Sequence, residues 1–97
     1  MIKIQRKPTT PGEILSEEFL KPLMLTQKQL ADHIGCDVKV INRIVNGKTS
    51  ITAEMACRLA LAFNTSPHFW LNAQQAIDLY EALRRIGKRP RPLLKAG

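Results

Sequence analysis

The sequence predicts an all-α fold of five helices, the last of them the longest. Three observations carry this. Two capping boxes, Thr10 with Glu13 and Thr26 with Gln29, mark helix starts. Apolar residues recur three and four apart in the segments that follow, and Gly35, Gly47 and Gly87 stand where those segments stop. The composition, 44% hydrophobic but only 5% aromatic, suits a compact helical core of Leu, Ile and Ala. At 97 residues the chain is one small domain.

Taken in order, residues 1–8 form a flexible basic arm, residues 9–86 the folded unit, and residues 87–97 a flexible basic tail. Thr10 caps the first helix, with Pro11 at its first position, where a missing N–H costs nothing. Ile14, Leu15 and Phe19 make its buried stripe, Glu17 and Glu18 face solvent, and Pro22 ends or kinks it.

Residues 26–47, TQKQLADHIGCDVKVINRIVNG, read as two short helices joined by a tight turn. Leu25 and Leu30 are placed as the hydrophobic staple of the first, and Leu30, Ala31 and Ile34 share its buried face. Lys28, Asp32 and His33 are left toward water. Gly35 stops the helix in a left-handed conformation. Asp37 caps the next helix, which buries Ile41, Ile44 and Val45 and ends at Gly47. Helices this short are unstable alone and must pack on each other and on neighbours. The pattern is that of a helix-turn-helix, whose second helix enters the DNA major groove. Its demands are met together: a small Ala31 where the helices approach, Gly35 at the corner, Ile41 and Ile44 as anchors.

Ser50 or Thr52 caps helix four, built on Met55, Ala56, Leu59, Ala60 and Phe63, until Asn64 and Thr65 break it. Ser66 caps helix five with Pro67 as its first residue, and the helix runs to about Ile86. That helix is apolar on more than one side: Phe69, Ala73, Ala76, Ile77 and Tyr80 on one, Trp70, Leu71, Leu79 and Leu83 elsewhere. One side packs on the core, and a second copy of the chain is the natural cover for the other, giving a homodimer. The final KRPRPLLKAG, with two prolines among its bases, does not support a helix.

The formal charge of +7 is concentrated at the two ends. Lys3, Arg6 and Lys7 lie in the arm; Arg84, Arg85, Lys88, Arg89, Arg91 and Lys95 lie at the other end without an acid. Between them, six basic residues face eight acidic ones. Basic ends of this kind add phosphate contacts. No apolar run approaches the ~20 residues a membrane span needs, and no apolar stretch follows the N-terminal charges, so a cytoplasmic location without a membrane partner is expected. Cys36 and Cys57 are read as free thiols, Cys57 buried in an apolar run. With His33 and His68 they match no zinc-ligand spacing, so no metal and no cofactor are expected. No Ser/His/Asp set, paired carboxylates or phosphate-binding glycine loop points to an enzyme.

With Ile41, Ile44 and Val45 inward, the third helix turns Val38, Lys39, Asn42, Arg43 and Asn46 outward. Arg43 or Lys39 suits guanine O6 and N7, Asn42 adenine, and Val38 a thymine methyl. Each is equally suited to a phosphate contact or to solvent. Gln27 and the N–H groups of its helix start face a phosphate, with Asn46 and Lys48 on the neighbouring backbone.

The order PGEIL, EEFLKPL, LTQKQLA, INRIVNGK and TSPHFWLN, at these separations, resembles the HigA (VapI-like) antitoxin family of bacterial toxin–antitoxin modules, within the phage-repressor-like (XRE) helix-turn-helix class. The resemblance covers about residues 8–83. It implies a dimeric operator-binding protein that neutralises a HigB toxin, a RelE-like mRNA-cleaving ribonuclease, and represses its own operon. It maps the reading helix onto residues 38–46 and makes Phe69 and Trp70 core and interhelix anchors. A stand-alone repressor without a toxin partner is the alternative.

Overall fold

The computed structural model describes residues 6–94, so Lys3 of the arm and Lys95 of the tail lie outside the described residues. Among them there are five helices and no strand. Helix α1 starts as an α-helix, Pro11–Ile14, and continues as a π-helix, Leu15–Leu20; α2 is Gln27–Ile34, α3 Val38–Val45, α4 Ala53–Phe63 and α5 Pro67–Ile86.

The capping expectations are met atom by atom. The N–H groups of Glu13 and Gln29 donate to Thr10 Oγ1 (3.1 Å) and Thr26 Oγ1 (3.0 Å), and each glutamate or glutamine side chain accepts from its cap's own N–H at 2.9 Å. Thr52, not Ser50, caps α4, and Ser66 caps α5. Asp37 Oδ1 accepts from the Lys39 N–H at 2.8 Å at the start of α3. Gly35 (φ 77°) closes α2 in the left-handed conformation, and Asn64 (φ 55°) does the same for α4.

The π-helical half of α1 was not legible from spacing. Leu15 and Leu20 are both buried, yet residues five apart lie about 140° apart on an α-helix. The wider turn, with the Lys21 N–H donating to the Ser16 carbonyl at 3.0 Å, brings both onto the core side. Pro22 then lies in the turn that follows.

Leu15, Leu30, Ile41, Leu59 and Trp70 are fully enclosed, each burial stabilising by roughly 1.5–3 kcal/mol. Trp70 sits against Phe19 (centroids 5.2 Å) and Phe69 (5.1 Å), while Phe19 also stacks on Phe63 at 4.7 Å. The indole N–H donates to Thr65 Oγ1 at 2.9 Å, which satisfies its one polar atom. Two sequence expectations need correction. Cys57 is exposed, because its position on α4 points away from Met55, Ala56 and Leu59. Phe69 is 40% exposed, an outer wall of the aromatic cluster more than a core residue. On α5 the buried residues are Trp70 and Ile77, with Leu71 half-buried against the core, Ala73 half-buried and Ala76 exposed.

Candidate nucleic-acid interface

The geometry of the outward face begins with what holds α3 down. Ile41 and Ile44, three apart, are buried beneath it, and Val45 is half-buried beside them. Asn42, Arg43, Lys39 and Asn46 are left exposed. Val38 departs from expectation: it is half-buried and packs on the core cluster. It nevertheless shares a shallow surface depression with Gln27, Lys39, Asn42 and Arg43. Asn46 and Lys48 lie in a separate cleft with the start of α1. The seven residues singled out from sequence therefore fall into two adjoining groups on one side of the α2–α3 unit.

A chain of side-chain hydrogen bonds joins the groups. Asn42 Nδ2 donates to Gln27 Oε1 at 3.1 Å, and Asn42 Oδ1 accepts from Asn46 Nδ2 at 3.2 Å. In the unbound chain the Asn42 amide is thus engaged at both ends. The Gln27 amide N–H donors, the Asn46 amide oxygen and the second N–H of Asn42 and of Asn46 stay open. Lys39, Arg43 and Lys48 make no ion pair among the described residues, whereas Lys28 is held by Asp32 (3.0 Å) and Lys21 by Glu17.

Three residues that spacing did not single out position this face. The first is Arg58 of α4, whose guanidinium donates to the Ile34 carbonyl (2.6 Å), the Gly35 carbonyl (3.2 Å) and Glu54 Oε2 (2.9 Å). It ties the corner between α2 and α3 to α4; the signal was an arginine inside an otherwise apolar helix, four residues after a glutamate. Gly12 is the second. A Cβ there would collide with the Ile44 carbonyl oxygen and come within 2.8 Å of that of Val45, so α1 begins directly against the C-terminal end of α3. A glycine one residue into a helix is unfavourable locally, and that was its signal. The third, Gln74 of α5, accepts the Ile51 N–H at 2.8 Å and donates to Asp78 at 3.0 Å, fastening the loop after α3.

Local electrostatics are mild. The Glu13 carboxylate is held below its ordinary range by the Thr10 N–H and hydroxyl, with a smaller contribution from the field of Lys7. Burial raises the Cys36 thiol, which the Arg58 guanidinium partly offsets. Among the described residues no helix is long and apolar enough to cross a membrane.

A helix-turn-helix family model matches residues 17–70. The chain is 50% identical over 76 residues to an uncharacterized HTH-type transcriptional regulator of Haemophilus influenzae, covering 78% of this chain and 71% of that protein. It is 40% identical over 85 residues to antitoxin HigA-1 of Vibrio cholerae, covering 88% and 80%. The structure of Pseudomonas aeruginosa antitoxin HigA with the higBA promoter superposes with a TM-score of 0.83 at 36% identity, covering 91% of this chain and 100% of that one. The family match spans more than half of the chain and the HigA-1 match 88% of it: the chain belongs to the helix-turn-helix family, among the relatives of the HigA antitoxins.

Proposed function

We propose that the chain is a DNA-binding antitoxin, which binds its own operator as a dimer and neutralises a HigB/RelE-like mRNA-cleaving toxin in the cytoplasm. One observation carries the DNA-binding part. Helix α3 buries Ile41 and Ile44 and presents Lys39 and Arg43, exposed and without an ion pair among the described residues, beside the Gln27–Asn42–Asn46 chain. Such a surface donates hydrogen bonds to base edges and phosphates. Gln27 and Asn46 hold the Asn42 amide in place through one N–H and one oxygen lone pair, leaving its second N–H and second lone pair for adenine. Lys48 meets the adjoining backbone.

The test is the Arg43→Ala variant, measured against a panel of operator duplexes each changed at one base pair. A loss of about 1–3 kcal/mol with relaxed preference at one position is expected. An even loss across the panel would make Arg43 a phosphate contact, and no loss would remove Arg43 from the interface.

The toxin partner is supported by the HigA-named relative, the stand-alone alternative by the regulator named only for transcription. Co-expression with the product of the neighbouring gene separates them: relief of growth arrest and a stable eluting complex belong to the antitoxin, their absence to a repressor alone.

A further inference from the structure

The arm that precedes α1 leaves the fold beside the reading helix. Gly12 fixes this, since α1 begins in direct contact with the carbonyl oxygens at the C-terminal end of α3. Two residues earlier, Thr10 is pinned by its capping box. Lys7 lines one cleft with Asn46, Gly47 and Lys48, so a lysine ahead of α1 and one just after α3 share one concavity. Arg6 and Lys7 are both exposed and make no ion pair among the described residues. Three carboxylates, those of Glu13, Asp78 and Glu81, also line the cleft. Glu13 also accepts from the Thr10 N–H and Asp78 from Gln74, but all three carboxylates keep their charge, and Glu13, which already feels the field of Lys7, competes with phosphate for it together with Glu81.

We infer that Arg6 and Lys7 form a second DNA contact, gripping backbone phosphates past the C-terminal end of α3, next to those that Lys48 meets. The reach is sufficient. From Thr10 to Arg6 is four residues, up to about 14 Å when extended, against a minor groove about 6 Å wide. The major-groove helix and the arm then hold the duplex from two sides of one phosphate strand. Since phosphates carry no sequence information directly, the arm adds affinity and salt sensitivity without altering base preference.

This inference rests on the DNA-binding reading above, and the experiment separates the two. The full-length chain is used to select duplexes from a randomised pool, and its affinity for the selected duplex is followed from low to high salt. The Arg6→Ala/Lys7→Ala variant should lose about two phosphates' worth of salt dependence, a slope change of roughly 1.8 at ~0.9 per phosphate. Its base preference and melting temperature should be unchanged. The Arg6→Lys/Lys7→Arg variant, which keeps both charges, should restore the slope. If the alanine variant keeps the full slope, the inference fails while the reading stands; a fall in melting temperature at full slope would show that Lys7 serves the carboxylates of its own cleft instead. Should the unaltered chain select no duplex, both fail.

Discussion

Gly12 and Gly35 lack a side chain for different reasons, and substitution separates them. At Gly12 the obstacle is neighbouring backbone: Gly12→Ala has to push α1 away from Ile44 and Val45, a rigid overpacking that costs about 1–3 kcal/mol. At Gly35 there is room, with Arg58 Nη1 3.6 Å from the would-be Cβ, and the penalty is the left-handed backbone at φ 77°, roughly 1–2 kcal/mol. Urea denaturation should show both losses. Only Gly12→Ala is expected to weaken DNA binding beyond the stability loss, because it displaces the end of α3. The contrast also marks what the sequence discloses. Gly35 was legible because a helix C-terminus is a local event, whereas the reason for Gly12 lies more than thirty residues away.

At the level of elements, the α2–α3 pair depends on α4. Arg58 donates to two carbonyls at the corner where α2 ends, groups that the end of a helix leaves without intrahelical partners. Arg58→Ala should cost about 1.5 kcal/mol, the lower end for charged hydrogen bonds, because the side chain is partly solvated. Arg58→Lys should recover little, since an ammonium cannot reproduce the planar fork that reaches Glu54 and both carbonyls. Thermal denaturation of the three chains tests this, and full recovery by lysine would reduce Arg58 to a general positive charge. Helix starts and stops were readable because caps are short-range chemistry. The π-helical stretch was not, since it follows from where Leu15 and Leu20 must land in a core assembled by other helices. Val38 is a different case: three before Ile41 and seven before Val45, it falls by helical periodicity at the edge of the buried face, a signal that its pairing with Asn42 four residues on had hidden.

For the molecule as a whole, the unsettled apolar surface is on α5. Leu79 is 56% exposed, Ile86 53%, and Leu83 half-buried, which leaves an apolar margin on a helix of 20 residues. If two copies cover it mutually, Leu79→Glu/Leu83→Glu should give a folded monomer in sedimentation and abolish cooperative occupation of half-sites about 34 Å apart. An unchanged dimer would place the contact elsewhere. The charge layout belongs to this scale too. The basic ends were legible as runs of Lys and Arg, but the adjacency of Lys7 to Lys48 was not, because it arises only when α1 docks on α3.

Trp70 is the chain's one indole, and the fold encloses it completely. Its fluorescence therefore belongs to the packed interior: blue-shifted while the helices hold, moving to longer wavelength when they part, and indifferent to a duplex arriving at the surface. The native molecule thus carries an optical gauge of its own integrity, by which a variant that has released DNA is told apart from one that has come undone.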